Sequence, residues 1–442
     1  MPSTVLAPCH VSAVTPSPRR PLSLVSGSSD AAPRLALVGE GLTTPLSTGG
    51  EVEYANFDYA ASAPCLASVA AAVTEALGEY ASAHRGAGLP SQRTTERYEL
   101  ARVAVGEFLG CREDDAVVFT RNTTDAMNLL AHALPNDARV VVFASEHHAT
   151  LLPWREPVRL PAPSILVEAV RSVDAALREL RRGGDDAPIL VAVTGASNVT
   201  GELWPVAEIG LVAHRHGARV ALDAAQLAPH CAVNVAALGV DYVAISGHKL
   251  YAPFGAGALA GRADWLEAAT PYLAGGGASS HVGDATHDIG WAAGPARHEA
   301  GTPNVVGAVA LAEACRALAE ADQAALAVGE AALLTRLRRG LNAIPGLHDL
   351  TLFGPDCPRV GIAAFAVEGL DSGELARVLS DEYGIGVRAG LFCAHPLTRR
   401  LLLDAALPAT AVRASLGVGS TEAQVDRLVT AVAEISQRSA AR

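Results

Sequence analysis

The sequence predicts an α/β protein with a mainly parallel sheet in a large domain, helices on both faces of that sheet, and a smaller α+β domain after it. Three observations lead there. Short β-rich runs recur through the middle of the chain: AVVFT (116–120), RVVVFA (139–144), PILVAVTG (188–195), ARVALD (218–223), DYVAIS (241–246) and AGALAG (256–261). Most are separated by helix-period patterns such as TTDAMNLLAHAL and PVAEIGLVAHRHG, the alternation expected when crossover helices join parallel strands. From about residue 305 the texture changes to a long Ala/Leu/Glu run, which reads as one linking helix reaching Ile344.

Taken in order, residues 1–33 are rich in Pro, Ser and Arg without an uninterrupted apolar stretch, and read as a disordered tail rather than a signal peptide. Residues 34–64, with short β-like pieces split by glycines, form a lead-in segment expected to pack on the small domain. Ala-rich helices are predicted at about 65–83 and 93–110, opening a large domain over 65–304. The linking helix and small domain occupy 305–442, with strands near 350 and 360–367 and helices near 371–383 and 421–437.

Composition narrows the function. Net charge is −12 with no basic block in the body of the chain, which argues against nucleic acid as a partner. Seven cysteines, an odd number without a C-x-x-C pair, indicate neither a disulfide framework nor a zinc ribbon, and no metal is expected. The weakly charged stretch at about 220–248 is broken by Asp223, Pro229, His230 and Asp241, so no membrane span is predicted and the chain reads as cytoplasmic.

Ligands of an open α/β sheet gather at the carboxyl ends of strands. Here those ends read TRNTTD (120–125), SEHHAT (145–150), TGASNVTG (194–201), LDAAQ (222–226) and SGHK (246–249). Singly, each has a bland explanation: Asp after a strand is commonly a helix cap, and Thr123 begins a helix. Together they supply the groups that pyridoxal 5′-phosphate (PLP) needs. Lys249 offers an amine to condense with an aldehyde, and Asp223 a carboxylate to keep a pyridine nitrogen protonated. Thr123 and Thr124 open a helix whose N–H groups favour a phosphate dianion, with Ser246 and His248 as further donors. His147 suits the pyridine face, Gln226 the phenolate oxygen and Asn198 the substrate side. The rival nucleotide pattern GAGALA (255–260) lies within or before an apolar run rather than between strand and helix, so its glycines are read as close packing behind the lysine.

The stretches FDYAASAP (57–64), EHHATLLPW (146–154), SNVTGEL (197–203), DAAQLAPH (223–230), SGHKLYAPFGAGAL (246–259), EAGTPN (299–304), RAGLFCAHPL (388–397) and VRASLGVGSTEAQVDRLV (412–429) resemble the class V aminotransferase family. They resemble most its SUF-type cysteine desulfurase and selenocysteine lyase branch. That resemblance, from about residue 50 onward, implies a fold-type I PLP enzyme and a homodimer whose sites share residues. It implies a reaction that takes sulfur from L-cysteine, leaving alanine and a persulfide on the enzyme, with a sulfur-acceptor protein downstream. On matching positions, Lys249 is the cofactor lysine, Asp223 its pyridinium partner, His147 the stacking imidazole and Gln226 the phenolate contact. Thr124, Ser246 and His248 hold phosphate, with Thr302 reaching from the other chain. Arg413 grips the substrate carboxylate, Arg388 stands near the substrate, and Cys393 accepts sulfur.

Two departures stand out. HRGAG (84–88) has Gly88 where the family pattern has histidine, and Leu391-Phe392 precede the cysteine where polar residues are common. Both are expected to make the pocket less polar. They keep open a different class V reaction on a larger substrate: a C–S lyase, an epimerase or an aminotransferase. A non-catalytic scaffold is the remaining alternative.

Overall fold

The structure, a computed structural model, describes residues 35–441 apart from 85, 185, 405 and 406. The tail expected over 1–33 therefore lies outside the described residues.

Seven strands build the large sheet: β1 (Asp115–Thr120), β2 (Arg139–Phe143), β3 (Val158–Leu160), β4 (Ile189–Thr194), β5 (Arg219–Asp223), β6 (Tyr242–Ser246) and β7 (Gly257–Arg262). Their spatial order is β1-β7-β6-β5-β4-β2-β3. Strands β2 to β6 pair in parallel, while β7 runs antiparallel to both β6 and β1. Every residue of β4 and β6 is buried, which is why they read as unbroken apolar runs. Alternate residues face two helical layers. Val191, Val193, Val220 and Leu222 pack with Val173, Leu177 and Ile209; Leu190, Ala192 and Ala221 pack with Met127, Leu129 and Leu130.

Four antiparallel strands form the small sheet: β8 (Leu347–Asp349), β9 (Ile362–Val367), β10 (Arg388–Gly390) and β11 (Ala411–Ser415), in the order β8-β9-β11-β10. Helices Gln323–Asn342, Ser372–Tyr383 and Glu422–Ala440 pack on it through Leu337, Leu341, Leu375, Leu379, Leu428 and Val432. The lead-in chain touches both cores. Ala55–Asn56 adds a parallel bridge to Ile385–Gly386 and Phe57 lies in the small core, whereas Tyr59 and Leu66 lie in the large one.

One expectation needs correction, and two strands add detail that the sequence reading did not specify. The single linking helix is two, Val305–Glu320 and Gln323–Asn342, because the Asp322 side chain caps the second by accepting from the Ala325 N–H at 2.9 Å. The run at 256–261 has no helix before it and so returns antiparallel. The three-residue edge strand β3, with Arg159 at its centre, carries too little pattern to be anticipated.

Candidate active site

Strand β6 ends at Ser246 and the chain turns tightly, with Lys249 N–H bonding the Ser246 carbonyl at 3.1 Å and Ala252 N–H the Gly247 carbonyl at 2.8 Å. Close packing dictates the glycines. A Cβ on Gly247 would stand 2.6 Å from the Ala256 carbonyl oxygen, and one on Gly257 would stand 2.5 Å from the Ile245 carbonyl oxygen. Residues 257–260 of GAGALA thus lie within β7 as a packing surface. Lys249 is half-buried and lines a cavity, and burial lowers its pKa to about 8 against the opposing pull of Asp223.

At the end of β5, Asp223 is 4% exposed; it accepts from the Thr150 hydroxyl at 2.7 Å and the Ala225 N–H at 3.0 Å. His147 caps the short helix His148–Leu151 through Nδ1, which accepts the Ala149 N–H at 3.1 Å. Burial, with Lys249 nearby, pushes its pKa down to about 4, so the ring is neutral near pH 7. Gln226 donates from Nε2 to the Ala60 carbonyl at 2.8 Å. Beside Asp223 lies Glu146, fully buried and raised well above the usual carboxylate range by burial first and Asp223 second. Its Oε1 accepts the Thr194 N–H at 3.3 Å, and Oε2 has no protein partner.

The other end of the cavity is a helix N-terminus. Helix Thr123–Ala133 is capped by Asn122, which accepts the Asp125 N–H at 3.0 Å. Thr123 N–H donates to the Ser246 hydroxyl at 2.8 Å, the two hydroxyls lie 2.9 Å apart, and Thr124 and His248 complete that lining. Burial lowers the His248 pKa.

Facing this wall is the small sheet. Arg413, central in β11 and 3% exposed, donates to the Asn198 carbonyl at 2.8 Å and to Asp58 at 3.3 Å, while its Nε has no partner. Arg388 pairs with Arg413 in register and stands 3.9 Å from Asp58. Phe392 and Cys393 follow, both left-handed (φ 54° and 53°), and of the described cysteines Cys393 alone is exposed.

These groups line one cavity of about 220 Å³ holding Thr123, Thr124, His147, Asn198, Asp223, Gln226, Ser246, His248, Lys249, Arg388, Cys393 and Arg413. Thr302 and Gly88 are exposed and outside it, half-buried Leu391 is also outside, and Phe392 lines it. Larger clefts of about 400 and 830 Å³ lie elsewhere without a comparable set of converging groups. Sequence reasoning missed Asp58, Thr150 and Glu146, although all three sit inside the quoted stretches. Their signal was adjacency to a charged site residue in space.

A family model for class V aminotransferases matches residues 55–428. The chain is 37% identical over 363 residues to a cysteine desulfurase of Enterobacter sp. (strain 638), covering 80% of this chain and 86% of that one. It is 37% identical over 364 residues to a probable cysteine desulfurase of Pseudomonas aeruginosa, covering 80% and 87%. Among solved structures it is similar to the Escherichia coli cysteine desulfurase CsdA, described as an S-sulfonic acid form, with a TM-score of 0.72 and 32% identity over 87% of this chain and 95% of that one. The apo cysteine desulfurase of Thermococcus onnurineus NA1 aligns with a TM-score of 0.76 at 30% identity, over 87% and 95%. A match across this much of the chain, on a sheet and cavity of this kind, means that the protein belongs to the class V aminotransferase family.

Proposed function

We propose that the protein is a PLP-dependent cysteine desulfurase that delivers the sulfur of L-cysteine to Cys393. The observation that carries this reading is the convergence of Lys249, Asp223, Arg413 and Cys393 on one cavity. The cavity suits the cofactor in its donor set. It has an amine of lowered pKa, a buried carboxylate, and a helix start with hydroxyls for a phosphate. Lys249, Asp223, His147 and Gln226 would hold the ring, and Thr123, Thr124, Ser246 and His248 the phosphate. When bound, PLP supplies an aldehyde for the lysine and a ring that accepts electron density from the substrate carbon.

The chain's own groups do the rest. Arg413, which lines the cavity, orients the substrate carboxylate through its planar guanidinium. The Lys249 amine, with a pKa near working pH, removes the Cα proton. Asp223, fixed by two donors, stabilises charge at the pyridine end. Cys393 as thiolate then attacks the substrate sulfur. An S–S bond forms as the Cβ–S bond breaks, the electron pair stays on carbon and is protonated, and alanine leaves.

The same reading assigns Thr302 to the cavity of a second copy, making the enzyme a homodimer, and gives the persulfide to an acceptor protein. It keeps a lead-in segment over 34–64, a cofactor domain over 65–304 and a small domain over 305–442, and it assigns a cytoplasmic setting. Among the described residues no helix is long and apolar enough to cross a membrane. The test is Cys393→Ser. It should bind PLP with its visible absorption intact yet form no protein-bound persulfide from L-cysteine. Normal sulfur delivery by that variant overturns the assignment.

A further inference from the structure

Arg413 and Cys393 lie on different elements, and a short chain of contacts joins them. Arg413 Nη1 donates to the Asn198 carbonyl at 2.8 Å, and the Asn198 side-chain Nδ2 donates to the Phe392 carbonyl at 2.6 Å. The Arg413 guanidinium carbon also stands 5.3 Å from the Phe392 ring centroid, within cation–π range. Phe392 and Cys393 both take left-handed backbone (φ 54° and 53°), a conformation that non-glycine residues keep only where surrounding contacts impose it. Those contacts are the Asn198 amide on one carbonyl and the His148 N–H on the next, the latter reaching the Cys393 oxygen at 2.8 Å. Phe392 is 8% exposed, so its ring is committed to this packing.

We propose that Phe392 is a positioning residue that couples occupation of Arg413 by a substrate carboxylate to the presentation of the Cys393 thiol. The proposal rests on the function given above. Arg413 is at once the carboxylate grip, the cation over the Phe392 ring and, through Asn198, a support of the Phe392 carbonyl. A carboxylate that pairs with the guanidinium weakens its hold on the ring. The thiol therefore responds to whether the substrate site is filled, and Phe392 carries that response.

The test follows alkylation of Cys393 by iodoacetamide in the full-length, PLP-loaded protein, with peptide mapping to isolate this cysteine. L-alanine, which has the carboxylate but no sulfur, is compared with ethylamine, which has neither. In the unaltered protein L-alanine should slow Cys393 alkylation by about fivefold or more, and ethylamine should not. Phe392→Gly and Phe392→Asn both tolerate left-handed backbone but lack the ring, and should cut the L-alanine effect to below about twofold while L-alanine still perturbs their visible band. Should one variant fail to hold PLP, the other decides. Retention of the full L-alanine effect in a PLP-loaded variant overturns the proposal. So does an unaltered protein whose band responds to L-alanine while its Cys393 reactivity does not. An unaltered protein with no PLP band overturns the functional reading itself, a distinguishable failure that takes the proposal with it.

Discussion

The two walls of the cavity are built on opposite principles. The wall of strand ends around Lys249 is buried and closely packed, with backbone bonds closing each turn and glycines where β-carbons would collide. The wall of small-sheet residues around Cys393 is open to solvent at the thiol and holds two consecutive left-handed residues through hydrogen bonds to their carbonyls. On the first wall the environment sets chemistry, since burial brings a lysine pKa down to about 8. On the second, presentation sets it, since the same thiol in a core would be an inert packing group.

Substitutions can break this contrast. The largest effect is expected at Lys249. Lys249→Ala should lower cysteine-dependent alanine formation by about 10²–10⁴-fold, measured by steady-state assay with PLP supplied, because no other amine lines the cavity among the described residues. Next is the effect of burying that amine in cofactor-free protein. Its folded pKa of about 8 lies below the ordinary 10.5, so between these values the unfolded chain binds more protons and stability rises with pH. Below pH 8 the cost is fully present. Denaturant unfolding should show wild type gaining roughly 3 kcal/mol on Lys249→Met as pH climbs through that window. A flat difference would mean that the first wall does not tune its lysine.

Gly257→Ala tests close packing on the same wall. Its Cβ would meet the Ile245 carbonyl oxygen at 2.5 Å and the Asn122 Cα at 2.8 Å, so about 1–3 kcal/mol of unfolding free energy should be lost. Gly390 is the matching position before the thiol loop. Its φ of 119° asks for glycine on conformational grounds, but nothing lies within 4 Å of the site of a Cβ, so the second wall has space where the first has none. The smallest effect is at Arg413, the proposed partner of the substrate carboxylate. Arg413→Lys keeps charge but loses the planar fork, and KM for L-cysteine should rise about tenfold with little change in kcat.

The two walls also differed in how legible they were. Strand–helix alternation exposed the large sheet because its buried strands are continuous apolar runs, and the polar residues capping them pointed to one edge. The small sheet hid its functional strands. Strand β11 is fully buried but has Arg413 at its centre, and β10 is three residues opening on Arg388, so neither reads as a strand by hydrophobic pattern. Their residues were assigned through the family resemblance. Asp58, Thr150 and Glu146 escaped notice because their importance is purely a matter of proximity: to Arg413 for the first and to Asp223 for the other two.

One consequence concerns the order in which a ribosome releases this chain. The Ala60 N–H bonds the Ser415 hydroxyl across 355 residues, and Asp58 meets Arg413 across the same separation. During synthesis the lysine side is available for folding long before the final small-sheet strand emerges, while the lead-in residues wait with their partners unmade. Completion of the cavity is thereby deferred: a nascent polypeptide lacks the Asp58–Arg413 contact until translation is nearly finished.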